Sequence, residues 1–136
     1  MSTTDVVNTF LERLGQGDAE GVGELFAEEI DWYVPGHEEL PWTGQRSRRE
    51  DVPEYLVTMW RHFEPGASSA DLDHIVVDGD DAVVFSTFQH TVKATGRTFR
   101  TPVAMRLQVD GASIVKMHLF EDTAVVRDAF FPKDEG

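Results

Sequence analysis

The amino-acid sequence predicts an α+β fold, in which a strongly curved, mixed or antiparallel sheet forms a cone against three N-terminal helices. Apolar residues recur at helical spacing along most of the first half of the chain. From residue 70 onwards the pattern changes to the alternation typical of strands, with hairpin signals at Thr95-Gly96-Arg97 and Asp110-Gly111. Helices that come before the sheet, and do not alternate with its strands, indicate α+β rather than a parallel α/β fold.

The length and composition of the chain exclude several classes of function. At 136 residues the chain has room for one domain, and we assign residues 1–136 to it. Its 12 Lys and Arg stand against 25 Asp and Glu, so the net charge is −13, which disfavours binding to nucleic acid or to an anionic membrane. The absence of cysteine excludes disulfides and thiol nucleophiles. No signal peptide or apolar run of about 20 residues is recognisable, so we expect a cytoplasmic protein.

The first two helices form a predicted hairpin. Thr3 or Thr4 caps the first helix, which Gly15 ends. Asp18 caps a short second helix. The apolar positions that support the two helices are Val6, Val7, Phe10, Leu11 and Leu14 in the first, and Val22, Leu25 and Phe26 in the second.

A short strand, a loop and a third helix follow. The strand covers Ile30–Val34, and the turn-forming residues from Pro35 to Gly44 predict a loop. The third helix begins at Glu50 or Asp51 and ends before Pro65-Gly66.

Alternating residues predict four long strands and a closing helix. The predicted strands are Ala70–Asp78, Ala82–Ala94, Thr98–Val109 and Ile114–Glu121, and the helix is Thr123–Phe131.

Three stretches of the chain resemble the nuclear transport factor 2-like superfamily, specifically its SnoaL-like and ketosteroid-isomerase-like branch. They are Leu25–Trp32, Pro41-Trp42-Thr43-Gly44 leading into Asp51-Val52, and Phe120-Glu121-Asp122-Thr123. The resemblance extends over nearly the whole chain and implies the cone-shaped fold. It does not specify the activity, because the superfamily contains isomerases, cyclases, epoxide hydrolases, dehydratases and non-catalytic binding proteins.

Within that superfamily the chain resembles SnoaL-type polyketide cyclases best. Where ketosteroid isomerases have a catalytic Asp after the first strand, this chain has Val34, and its first helix offers Phe10 in place of their Tyr. Asp122 matches the strand-end Asp of limonene-epoxide hydrolases, but their Arg-x-Asp pair has no counterpart on the middle strand. A SnoaL-type cyclase needs a carboxylate base and a polar partner near the cavity, which Asp122 and His118 supply.

Strand alternation groups the candidate catalytic residues. His118, Phe120 and Asp122 project to one face of the last strand, whereas Val115, Met117 and Leu119 project to the other. Alternation alone leaves open which set faces the cavity. We predict that Asp122 is the general base or acid and that His118 is its proton partner. In the alternative interpretation Asp122 caps the last helix and His118 lies on the sheet surface.

Two further groups complete the predicted site. Tyr33, or His37 in the loop after the first strand, is the predicted hydrogen-bond donor to a developing enolate. The residues predicted to contact the ligand are Trp32, Trp42, Trp60 and Phe120. Since the five histidines are dispersed and form no metal-binding motif, we expect no metal, and we expect no cofactor.

These observations favour a cofactor-independent isomerase, cyclase or dehydratase that acts by proton transfer on a small apolar or polyketide-like molecule. A non-catalytic small-ligand-binding protein and a dimerisation module of the same fold are the alternatives. We also expect a homodimer through the sheet, because long strands with apolar residues on both faces need cover on both sides.

Overall fold

The computed structural model describes residues 1–132. In chain order its elements are α1 (Thr3–Gly15), α2 (Ala19–Gly23), β1 (Phe26–Val34), β2 (Gly44–Arg48), α3 (Asp51–Trp60), β3 (Ser69–Asp78), β4 (Asp81–Thr91), β5 (Thr98–Asp110), β6 (Ser113–Glu121) and α4 (Thr123–Phe130). This order confirms the predicted α+β class. The assignment of residues 1–136 to one domain stays a prediction, since its last four residues lie outside the described part of the chain. Within residues 1–132, no helix is both long and apolar enough to cross a membrane.

The six strands form one open, mixed sheet. Their order is β2-β1-β6-β5-β4-β3, with β1 parallel to β6 and the other neighbouring pairs antiparallel. Register shifts interrupt all the pairings except that of β4 with β5. Such irregularities bend a sheet, and here the sheet curves around the helices.

Side-chain alternation divides the sheet into an inner and an outer face. On β5 the buried residues alternate with more exposed ones, and the buried set is Phe99, Thr101, Val103, Met105, Leu107 and Val109. This buried set lies on the inner face, where α1 and α4 pack against β5. The outer face carries the intervening side chains.

Local capping interactions set the starts of the first two helices. Asp18 caps α2 as predicted, with its Oδ1 accepting a hydrogen bond from the Gly21 N–H at 2.9 Å. The cap of α1 is Ser2, rather than Thr3 or Thr4. The reason is a capping box: the Asp5 N–H donates to Ser2 Oγ and the Ser2 N–H donates to Asp5 Oδ2, each at 3.1 Å.

Strands β1 and β2 differ most from the prediction. β1 begins at Phe26, four residues before the predicted start, and β2 was not predicted at all. The polar sequence Gly-Gln-Arg-Ser-Arg of β2 lacks apolar alternation because β2 is an edge strand, held by backbone pairing to β1. The pairing with β1 depends on the tertiary structure, so the local sequence of β2 could not predict it.

Candidate functional site

A cavity of about 450 Å³ lies between the inner face of the sheet and helices α1 and α3. Its deep end is closed by side chains with almost no contact with outside solvent, among them Phe10, Trp32, Tyr55 and Met117. Most of its wall is apolar. The cone is therefore hollow, and the hollow is large enough for a drug-sized ligand.

The mouth of the cavity is framed by the ends of three elements. These are the end of α1 at Leu14 and Gly15, the end of α3 at Met59 and Trp60, and the segment Ser68–Leu72 that opens β3. The segment is exposed, and Leu72 keeps 57% of its surface accessible. A ligand can therefore enter between the two helix ends and the start of β3.

Glu121 is the carboxylate that β6 places in the cavity. Met117 and Leu119 are buried on the inner face, and strand alternation puts Glu121 on the same side. Burial, and to a smaller extent the negative charge of Asp122, raise the pKa of the Glu121 carboxyl to about 7. No hydrogen bond or ion pair with another residue in 1–132 lowers it. Within the described residues, the cavity thus contains a carboxyl group without a hydrogen-bonding or charged partner, and its pKa is raised towards neutral pH.

The aromatic side chains of Trp32 and Tyr55 also line the cavity. The Trp32 side chain is 2% exposed, and its Nε1–H has no hydrogen-bond partner among the described residues. The Tyr55 hydroxyl makes only a weak contact, at 3.6 Å, with the sulfur of Met59. The two aromatic rings meet edge to face with 4.8 Å between their centroids. Burial raises the pKa of Tyr55, and the charge of Glu121 adds to that effect, so the tyrosine stays protonated and remains a donor.

Asp122, the predicted base, lies outside this cavity. It is exposed and is the N-cap of α4, where its Oδ1 accepts a hydrogen bond from the Val125 N–H at 3.3 Å. Its own N–H donates to Thr101 Oγ1 at 3.1 Å. This placement corresponds to the alternative interpretation of Asp122 as a helix cap.

His118 and Tyr33 lie together on the outer face of the sheet. They occupy paired positions on β6 and β1, and their ring centroids are 6.1 Å apart. His118 Nε2 lies 2.9 Å from Asp31 Oδ1, although the ring N–H is not aligned for a hydrogen bond. Contact with His118, followed by the amide of Gln45, holds the pKa of Asp31 below its ordinary value. The sheet therefore separates His118 and Tyr33 from the cavity.

The remaining predicted residues divide between the cavity and the surface. Trp32, Trp42 and Trp60 line the cavity, whereas Phe120 is 58% exposed on the outer face. The ring of His37 packs against Phe131 with 5.0 Å between centroids, and its Nδ1 accepts a hydrogen bond from the Glu39 N–H at 3.1 Å. Within residues 1–132 no three His, Asp or Glu side chains gather into a group that could hold a metal ion.

Glu121 and Tyr55 were not predicted as site residues. One signal in the sequence points to Glu121: Val115, Met117 and Leu119 form the more apolar of the two sets on β6, and Glu121 continues that set. Tyr55 carries no comparable signal. It becomes a cavity residue only because α3 packs across the inner face against Trp32.

The sequence profile of the SnoaL-like domain matches residues 7–117. The chain belongs to the SnoaL-like family. None of the curated proteins compared with it matches significantly.

Solved structures confirm that this SnoaL-like chain has the nuclear transport factor 2-like fold. An NTF2-like protein of unknown function from Burkholderia pseudomallei is 20% identical with a TM-score of 0.86, over 96% of this chain and 99% of its own. An NTF2-like protein from Burkholderia thailandensis is 21% identical with a TM-score of 0.84, over 97% and 99%. TerC, co-crystallised with polyporic acid, is 16% identical with a TM-score of 0.81, over 93% and 96%.

Proposed function

We propose that this SnoaL-like protein is a cofactor-independent isomerase, cyclase or dehydratase that transfers protons on a small, mostly apolar molecule bound in its cavity. The observation that carries the proposal is the Glu121 carboxyl, which faces the apolar cavity with no partner among the described residues. Glu121 is the general base or acid of the reaction. The polyporic acid in the TerC crystals supports a small organic molecule as the ligand of this fold.

The pKa of Glu121 suits proton transfer at neutral pH. A group that titrates near 7 is present in both forms, so it can remove a proton at one atom of the substrate and return it at another. Removing a proton from a carbon next to a carbonyl leaves negative charge on the carbonyl oxygen. The Tyr55 hydroxyl, held only by a weak contact with the sulfur of Met59, is a donor in the cavity wall that would stabilise this charge in a site with little water.

The four residues first predicted as catalytic take other positions in this proposal. Asp122 acts on the reaction through its charge, which raises the pKa of Glu121. His118, Tyr33 and His37 lie outside the cavity, and their catalytic roles stay predictions.

Titration of Glu121 tests the proposal without knowledge of the substrate. In the protein labelled with ¹³C at glutamate side chains, we expect the Glu121 carboxyl to titrate near pH 7 and a Glu121→Gln variant to lack that signal. A Glu121 carboxyl that titrates near its ordinary value of 4.5 would overturn the proposal.

A generic proton-abstraction probe tests the chemistry itself. A base removes the carbon-bound proton of 5-nitrobenzisoxazole, the N–O bond breaks, and the coloured product is 2-hydroxy-5-nitrobenzonitrile in its phenolate form. We expect the wild-type rate to rise with pH to a plateau above about 7 and the Glu121→Gln variant to lose roughly 100-fold. The neighbouring carboxylate is the matched control: Asp122→Asn should retain most of the rate. Loss of the rate in Asp122→Asn, but not in Glu121→Gln, would return the base to Asp122.

A non-catalytic ligand-binding protein is the second candidate. The apolar wall of the cavity, with Trp32, Trp42 and Trp60, favours it, because such a wall binds a flat apolar molecule without any need for catalysis. A molecule that co-purifies with the protein and is released unchanged after incubation would favour this candidate. The open cavity argues against a module that only dimerises, since a filled cone would serve that role better.

A further inference from the structure

A second polar group lies in the cavity wall, at the mouth and away from Glu121. His90 is on the inner face of β4 and lines the cavity together with Ser68. Ser68 Oγ lies 2.7 Å from His90 Nδ1, which is a short hydrogen bond. The imidazole stacks on Phe63 with 4.1 Å between centroids and 8° between the planes. The orientation of the ring is therefore fixed by a hydrogen bond on one side and by stacking on its face.

The other ring nitrogen is free to bind a ligand. His90 Nε2 makes no hydrogen bond within residues 1–132, and it is not sealed from solvent as Trp32 Nε1 is. Burial lowers the pKa of His90 to about 4, so at neutral pH the ring is uncharged and has one donor and one acceptor nitrogen. Either tautomer leaves Nε2 available: when the Ser68 hydroxyl donates to Nδ1, Nε2 carries the proton and donates to a ligand oxygen, and when Nδ1 carries the proton, Nε2 accepts from a ligand hydroxyl.

The sheet register places this group far from Glu121. Glu121 pairs with Val103 of β5, and His90 pairs with Phe99 of the same strand, on its other side. The two residues are thus offset by four residues along the strand direction and by two strand spacings across the sheet. These offsets put the Cα atoms of Glu121 and His90 roughly 16 Å apart. The wall between them contains the flat side chains of Phe88 and Phe99 and the hydroxyl of Thr101, which accepts a hydrogen bond from the Asp122 N–H.

We propose that Ser68 and His90 form a second ligand-binding subsite, which anchors a hydroxyl or carbonyl oxygen at the mouth while the other end of the ligand reaches Glu121. The proposal rests on the proposed function in that it takes the cavity as the ligand site. It specifies the substrate class as an elongated, flat, uncharged molecule with polar groups at opposite ends. Because the His90 ring is uncharged at neutral pH, the subsite offers no positive charge to a ligand anion.

A series of three fluorescent probes tests the subsite: trans-stilbene, 4-hydroxystilbene and 4,4′-dihydroxystilbene. They share one elongated flat shape and differ in the number of terminal hydroxyl groups. We expect the second hydroxyl to increase affinity for the wild-type protein by about fivefold, as a net hydrogen bond does. His90→Phe should abolish that increase while binding trans-stilbene as the wild type does, because phenylalanine preserves the stacking on Phe63. Ser68→Ala, at an exposed position that does not endanger folding, should reduce the increase.

The outcomes separate this proposal from that for Glu121. Equal preference for the dihydroxy probe in the wild type and in His90→Phe would overturn the subsite, and so would failure of all three probes to bind the wild type. The pKa of Glu121, measured by the carboxyl titration, should be the same in His90→Phe and in the wild type. A low pKa of Glu121 with an intact His90 effect would overturn the catalytic proposal and leave the subsite standing.

Discussion

At the scale of single residues, burial gives Glu121 a chemistry that most carboxylates of this acidic protein do not have. Its neighbour Asp122 has the same functional group but is exposed and caps a helix. Two carboxyl groups that are adjacent in sequence therefore differ in role: that of Glu121 has a pKa of about 7, and that of Asp122 caps a helix. The cause is desolvation, which penalises the charged form.

The stability of the protein should depend on pH through Glu121. The carboxyl titrates near 4.5 when the chain is unfolded and near 7 when it is folded, so the folded state binds the proton more tightly. Its stabilising contribution is complete below pH 4.5 and is lost as the pH rises through 7. We therefore expect the free energy of unfolding of the wild type, relative to that of Glu121→Gln, to fall between pH 5 and pH 8. Urea unfolding at the two pH values measures this difference, and a constant difference would contradict it.

Substitutions of Asp122 should separate its charge from its capping role. Asp122→Asn keeps a capping side chain but removes the charge, so the pKa of Glu121 should fall. Asp122→Ala also removes the cap and should lower the free energy of unfolding by about 1 kcal/mol. Carboxyl titration and urea unfolding of the two variants measure these effects. An unchanged pKa of Glu121 in both variants would show that Asp122 does not tune it.

At the scale of elements, the packing of α2 against α3 positions one wall of the cavity. Gly23 of α2 is buried, and a Cβ at that position would lie 2.9 Å from Cγ of Pro53 in α3. The proline ring cannot move away as a flexible side chain could. Because Tyr55, Leu56 and Met59 of α3 line the cavity, the packing of α2 against α3 sets the position of these three side chains.

Gly23→Ala should therefore destabilise the protein by about 1–3 kcal/mol, the usual cost of overpacking. Gly15→Ala is the matched control, since a Cβ at Gly15 meets no atom within 4 Å. There the higher helix propensity of alanine should leave the stability unchanged or raise it. Thermal unfolding of both variants measures the effect. Equal stability of the two would show that α2 and α3 can separate at little cost.

At the scale of the whole molecule, the outer face of the sheet is the surface without cover from the helices. Phe85 and Phe120 pair with the same residue, Ala104, from opposite sides, and are 40% and 58% exposed. Tyr33, 43% exposed, extends this apolar surface towards β1. Exposed apolar area of this kind is typical of a surface that binds another protein.

We predict that two copies of the chain associate through this face, as the strand pattern also indicates. Because a two-fold axis pairs the same patch on both copies, one substitution disrupts both halves of the interface. Light scattering should report twice the chain mass of 15.3 kDa for the wild type and a single chain mass for Phe120→Glu. Circular dichroism should show that the variant remains folded. A wild-type particle of 15 kDa at micromolar concentration would rule out this dimer.

The sequence by itself determined the α+β class of the fold and most of its elements. Helical spacing, turn residues and caps act within a few residues of each other, which is why α1, α3, α4 and strands β3 to β6 were predicted within a few residues of their observed bounds. The second helix was predicted too long, because Leu25 and Phe26, assigned to its apolar side, lie beyond α2 and Phe26 begins β1. Three aromatic residues of the cavity wall, Trp32, Trp42 and Trp60, were also predicted, since large apolar side chains are buried in most cores.

The tertiary structure alone decided which residues of β6 meet in the cavity, and that β2 exists. Alternation shows which side chains share a face of the strand, but it does not show which of the two faces lines the cavity. It therefore could not choose between Asp122 and Glu121. The choice follows from where β6 lies, beside β1 and under helices that cover only one face. The pairing of β1 with β6 joins residues distant along the chain, and burial, which raises the pKa of Glu121, arises only when those distant segments assemble.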